Sequence, residues 1–306
     1  MKYAYYPGCS AYTSGKEYDR SFRLVAKALD IELIEVPDWT CCGSHVTYIF
    51  NPTLAASLSA RNLALVEKIG EGIDVVTICS GCYQTLKRSN QLLKHDANIQ
   101  AKVKEALEAI NLSYNTNVKI RHALEALTTP EALETISKRV TKPLKGLKVA
   151  PYYGCAVVRP KFEDSFDDPE NPQSLDRLLR VLGAEPVPYI DKVRCCGGVL
   201  IMKHEGVGLE LIRRLLANAK RAGAECIVTP CALCHLNLDI MQPKVEQAFK
   251  ERFDMPIFFF TQLIGLALGL KPTQLGLDKH IVSPKSLLQS KSARECKVNV
   301  KCRICK

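Results

Sequence analysis

Hydrophobic positions along the chain fall into two alternating kinds of run. Short β-rich runs lie at residues 2–6, 73–78, 147–153 and 225–229, and each ends next to a cysteine motif. Between them the period becomes helical: residues 21–29 place Phe22, Val25 and Leu29 on one face, and residues 207–222 align Leu209, Ile212 and Leu216. Residues 54–69 and 174–182 follow the same rule. Strands alternating with helices predict βαβ units and parallel sheets. In such sheets a ligand site lies beyond the carboxyl ends of the strands, which is where the cysteines fall.

The cysteine motifs occur twice. Tyr5–Cys9 (YYPGC), Thr40–Ser44 (TCCGS) and Ile78–Cys82 (ICSGC) are matched by Tyr152–Cys155 (YYGC), Arg194–Gly198 (RCCGG) and Thr229–Cys234 (TPCALC). Equivalent cysteines are offset by 146, 154 and 152 residues, about half of the 306-residue chain, so duplication accounts for the length as well as the motifs. The expected fold is α/β with two pseudo-symmetric halves, each a small, mostly parallel sheet with helices and one cysteine set. The boundaries expected are 1–145, 146–275 and a basic, cysteine-containing tail at 276–306, with the Pro- and Lys-rich residues 128–145 as the hinge.

Ten of the fourteen cysteines belong to these two sets. A CxxC at a strand end that opens a helix lies near backbone N–H donors and the positive helix end, which favours the metal-ligating thiolate. One such motif is weak evidence. A vicinal pair 34–36 residues upstream and a further cysteine before it, both repeated, make it strong. Buried free cysteines would not require the same five positions twice, and adjacent pairs in a reducing compartment do not suit disulfides. A metal is left. Zinc would saturate at four thiolates per half and leave one unused, whereas an iron–sulfur cluster uses four and can take more if it is not a plain cubane. The spacing favours iron–sulfur and leaves zinc open.

Composition changes the picture in three places. At 47% hydrophobic and 24% charged, the chain has the make-up of a packed protein with about two domains. The opening MKYAYYPGCS shows no secretory pattern, so the expected location is cytoplasmic. The longest apolar run, residues 258–270, falls short of the roughly 18–20 residues that span a bilayer, so no transmembrane segment is expected there and it reads as a buried helix. The net charge of +10 is concentrated: from Lys271 onward nine Lys/Arg face two acidic residues, leaving +3 for the first 270 residues. That argues against a nucleic-acid surface on the folded body.

The opening MKYAYYPGCS, TCCGS, CSGCYQTLKR, the second CCGG, PCALCHLNLD and FFFTQLIGLALG resemble the B subunit of heterodisulfide reductase, the CCG cysteine-rich domain family. The resemblance covers about residues 1–271. It implies two non-cubane [4Fe-4S] clusters, one held by Cys9, Cys41, Cys42, Cys79 and Cys82, the other by Cys155, Cys195, Cys196, Cys231 and Cys234. It further implies cleavage of a mixed disulfide, such as that of coenzymes M and B, between the clusters. Electrons would arrive from the ferredoxin-like subunit of the reductase complex, itself fed by the flavin-containing one. Two other readings stay open: a CCG protein that relays electrons within a flavin-dependent dehydrogenase of lactate, glycolate or succinate type, and a zinc-stabilised interaction module.

Departing thiols need a proton source. His45, His204 and His235 follow cysteine motifs, and Lys203 with His204 are the first candidates. His122 reads as structural, at the start of a helix after a β-like run. Lys87, Arg88, Arg159, Lys192 and Arg194 lie near the motifs and could line a site for an anionic thiol, although surface solvation accounts for such residues in general. Cys226 reads as core. Cys296, Cys302 and Cys305 form C-x5-C-x2-C in the basic tail, three ligands where a closed site needs four.

Overall fold

A computed structural model of the chain describes residues 1–291. The first half builds a four-stranded, all-parallel sheet from β1 (Lys2–Tyr5), β2 (Glu32–Glu35), β3 (Val75–Thr77) and β4 (Ile120–His122), in the order β2-β1-β3-β4. The second half repeats it with β5 (Lys148–Pro151), β6 (Glu185–Pro186), β7 (Cys226–Thr229) and β8 (Ile257–Phe259), in the order β6-β5-β7-β8. The α/β, two-half reading of the sequence therefore holds. The central strands β3 and β7 are buried throughout, as parallel strands covered on both faces must be. In each sheet the direction of winding reverses between the two central strands, β1 and β3 or β5 and β7. A crevice opens there at their carboxyl ends, and the motifs Gly8-Cys9, Cys79, Gly154-Cys155 and Cys231 follow these strands.

Local sequence explains the helices that frame the crevices. Tyr18, Phe22 and Val25 give the helix Lys16–Ala28 one buried face. The helix Pro52–Glu67 starts with Asn51, whose side chain accepts from Leu54 N at 3.0 Å, and carries proline in its first turn. Run 258–270 is not one helix: β8 takes up its first residues and the helix Phe260–Ala267 follows, both buried. Three consecutive phenylalanines fit a buried strand as well as a buried helix, and pairing with β7 decides for the strand. Residues 128–145 are also more ordered than a hinge. They contain the helix Pro130–Arg139, and Thr141 and Lys142 donate their backbone N–H groups to Ala267 O.

The halves exchange contacts reciprocally. The helix Lys16–Ala28 of the first half packs on Phe260–Ala267 of the second, and Ala123–Leu127 of the first packs on Ser174–Val181 of the second. One hydrophobic core runs through both. Tyr18 is fully buried at this seam, stacked on Phe259 at 4.4 Å between ring centroids, and its hydroxyl donates to Pro230 O at 3.1 Å. Ser21 and Thr261 hydroxyls meet at 2.6 Å beside it. Removal of the hydroxyl alone in Tyr18→Phe should cost about 1 kcal/mol, and Tyr18→Ala about 3–5 kcal/mol, as read from urea unfolding midpoints.

His280 is buried against His235 and Phe258, accepts from Gln262 Nε2 at 2.9 Å, and burial holds its imidazole down at about 4. In the unfolded chain it titrates near 6.5, so its contribution to stability is full above that pH and is lost as pH falls toward 4. Between pH 7 and pH 5, His280→Gln should lose about 2 kcal/mol less unfolding free energy than the wild type.

Candidate metal centre

Each half draws its five cysteines into a row. In the first, thiol hydrogen bonds connect Cys41 to Cys42, Cys42 to Cys82 and Cys82 to Cys79, with the Cys42 and Cys82 sulfurs 3.5 Å apart and Cys9 next to Cys41. In the second, the row runs Cys155, Cys195, Cys196, Cys234, Cys231. The order of equivalent residues is identical. Cys9, Cys41 and Cys195 are exposed and Cys155 half-buried, whereas Cys42, Cys82, Cys196, Cys231 and Cys234 are buried. Both rows thus run from an open outer end to a closed inner end.

The inner ends meet at the seam. Cys79 and Cys231 are the N-caps of the helices Ser80–His95 and Ala232–Ile240, and each thiol lies within the other's electrostatic reach. Both are more acidic than a free cysteine. The Cys82 thiol lowers Cys79, and the Cys234 thiol lowers Cys231 to about 6. Their partners Cys82 and Cys234 are raised well above the ordinary value, first by the thiols that they serve as donors. In each CxxC the first cysteine is the ready thiolate.

Backbone shape makes room for these sulfurs. Gly8 and Gly154 both have φ +71°, and a Cβ there would sit 2.7 Å from Cys82 Sγ and 2.8 Å from Cys234 Sγ. No other residue type fits both the conformation and the space. Gly43 and Gly197, directly after the vicinal cysteines, are left-handed too, and the turns they make bring Ser44 N and Gly198 N to 3.4 Å from the Cys42 and Cys196 sulfurs. A tyrosine pins each vicinal pair: Tyr6 donates to Thr40 O at 2.6 Å and Tyr152 to Arg194 O at 2.7 Å. The sequence showed the Tyr-Gly-Cys repeat, but only the coordinates reveal what its tyrosines and glycines do.

The other expected residues scatter. Lys203 and His204 are exposed, at the end of the 3-10 turn Gly198–Met202 that follows Cys196. His235 is core, stacked on Phe259 and bonded to Ile257 O at 3.0 Å. His122 is fully buried and accepts from Leu124 N through Nδ1 at 3.0 Å, which caps a helix as its structural reading requires. Surface solvation does not account for Lys87 and Lys192. Lys87 is buried against Asp164 at 2.9 Å and Lys192 against Asp176 at 2.7 Å, because aromatic rings and the segment after Cys155 close over them. Arg159 and Arg194 are exposed, and Arg88 lies over the Tyr48 ring. Cys226 is buried in β7. Cys296, Cys302 and Cys305 lie outside the described residues.

The family model for the cysteine-rich domain named CCG matches residues 3–87 and again 149–239. The chain is 32% identical, over 94% of its own length and 99% of the relative's, to the 8-methylmenaquinol:fumarate reductase membrane anchor subunit of Wolinella succinogenes. It is also 32% identical, over 92% of its length and 94% of the relative's, to the B subunit of the ferredoxin/F420H2-dependent CoB-CoM heterodisulfide reductase of Methanosarcina acetivorans. Among the described residues no helix is long and apolar enough to cross a membrane. A hypothetical protein from Helicobacter pylori shares the fold, with a TM-score of 0.71 at 17% identity, across 92% of this chain and 52% of that one. With two matched domains that carry the duplicated cysteine rows, the chain belongs to the CCG cysteine-rich domain family that includes the B subunit of heterodisulfide reductase.

Proposed function

We propose that this chain is the iron–sulfur-bearing, catalytic subunit of a heterodisulfide reductase-like complex, reducing or reversibly forming a mixed disulfide such as coenzyme M–coenzyme B. The observation that carries the reading is the pair of five-thiol rows meeting at Cys79 and Cys231. Two non-cubane [4Fe-4S] clusters would be held by Cys9, Cys41, Cys42, Cys79 and Cys82, and by Cys155, Cys195, Cys196, Cys231 and Cys234. The donor set fits such groups better than zinc. A single tetrahedral ion needs four sulfurs about 3.8 Å apart around one point, and among the described residues no three His, Cys, Asp or Glu side chains are so arranged. Five thiols in a row, with glycines clearing space beside the sulfurs, suit a larger group.

When bound, each cluster would supply one electron toward cleavage of the S–S bond. The whole reaction takes two electrons and two protons and releases two thiols. The chain's own part is to hold the reacting region open at the exposed outer cysteines, Cys9, Cys41 and Cys195, while the inner ends stay dry. Lys203 and His204, exposed after the second vicinal pair, are the proposed proton donors. The proposed partners are the ferredoxin-like and flavin-containing subunits of such a complex and a small thiol or disulfide substrate, in the cytoplasm. A relay role in a flavin-dependent complex is the second reading, favoured by the equal identity to the fumarate reductase subunit.

Anaerobic purification should yield about eight irons and matching sulfide per chain, without zinc. Reduced clusters that are reoxidised by the coenzyme M–coenzyme B disulfide establish catalysis on this chain. Clusters that stay reduced leave the relay reading, and zinc without sulfide overturns both. Gly8→Ala and Gly154→Ala should each lower iron to about four per chain, by driving a Cβ into one row only.

A further inference from the structure

The two halves are near copies, so the places where equivalent residues differ around the sulfurs carry information. The position after the first CxxC cysteine is Ser80 in the first half and Ala232 in the second. Ser80 is buried, and its hydroxyl crosses the seam to hydrogen-bond Cys231 of the other half. Pro230 O at 3.4 Å and His122 Nε2 at 3.5 Å confine that hydroxyl. His122 Nδ1 accepts from Leu124 N, so Nε2 is the nitrogen that carries the proton and points it at Ser80. Ala232 has no hydroxyl to return to Cys79.

A second difference has the same sense. Three residues beyond the CxxC, Asn237 stands in the second half where Thr85 stands in the first. Asn237 Nδ2 lies 3.5 Å from Cys196 Sγ and is held by Cys196 O at 3.2 Å and Gly198 O at 3.1 Å. Among the described residues Thr85 Oγ1 has no hydrogen-bond partner. Backbone donors are balanced, with Ser44 N on Cys42 and Gly198 N on Cys196 at 3.4 Å each. The second row therefore receives two side-chain donors that the first row lacks.

We propose that Ser80 and Asn237 are positioning residues that place the second-half centre at the higher reduction potential, so that it takes up an electron before the first-half centre. Hydrogen bonds to ligating sulfur stabilise the more negative, reduced state. The inference rests on the iron–sulfur reading above and adds to it an order between two centres of equal ligand count. Electrons entering at the first half would then pass across the seam from the Cys79 side to the Cys231 side.

The test is an EPR-monitored redox titration of the full, anaerobically iron-loaded chain, with each wave assigned from the Gly8→Ala and Gly154→Ala chains. The wave of higher potential should belong to the second half. Ser80→Ala should shift only that wave downward, by about fivefold in its one-electron reduction equilibrium, and Ser80→Thr, which keeps the hydroxyl, should leave it in place. Ala232→Ser should move the first-half wave upward. An upper wave that belongs to the first half, or two waves unmoved by Ser80→Ala, overturns the inference and leaves the iron–sulfur reading standing. A loaded chain with no titrating centre overturns both.

Discussion

Ten thiols gathered into two touching rows form the constraint on which the rest of the molecule depends. Neighbouring thiols cannot all ionise in a buried setting, so each row divides its protons, with the CxxC thiols nearest the seam favoured as thiolates and their neighbours protonated. That arrangement needs sulfurs at hydrogen-bond distance, which demands backbone that approaches without a side chain. Gly8 and Gly154 meet the demand in the same way, with the same φ of +71°. Strand ends supply the rest, because a parallel sheet aims its carboxyl ends at one crevice, and there the chain can turn sharply and open a helix on Cys79 or Cys231.

The pairing of halves follows from the same geometry. A single half would leave its CxxC end facing solvent. Packing the opening helix of each half on the strand-end helix of the other closes both ends at once and brings them side by side. Tyr18 does much of this, since it stacks on Phe259 and donates to Pro230 O, the residue before Cys231. Ser80 and Pro230 then meet across the seam. Duplication of a unit thus makes a place that neither copy contains, and small differences between copies, Ser80 against Ala232 and Asn237 against Thr85, give it direction.

Much of this was legible in the chain. Motif repetition foretold two halves, the alternation of β-rich and helical runs foretold parallel sheets, and the strand ends before Cys9, Cys79, Cys155 and Cys231 foretold where the thiols collect. Short edge strands were not legible. Residues 32–35 and 185–186 have too few positions to show a period, and pairing with β1 and β5 makes them strands. Residues 258–270 carry apolar side chains throughout, so no periodicity marks the change from β8 to helix. Lys87 and Lys192 look like surface cations in sequence, because their carboxylate partners lie 77 and 16 positions away. The tyrosine pins and the Ser80 contact join residues far apart in sequence and leave no local pattern.

The central claim is that the two rows hold two centres that adjoin across Cys79 and Cys231. The most direct test compares the EPR spectrum of the fully reduced, iron-loaded chain with the spectra of chains that retain only one centre. Adjacent centres predict a two-centre spectrum that is broadened or split by magnetic interaction and differs from the sum of the single-centre spectra. A spectrum equal to that sum would contradict the account.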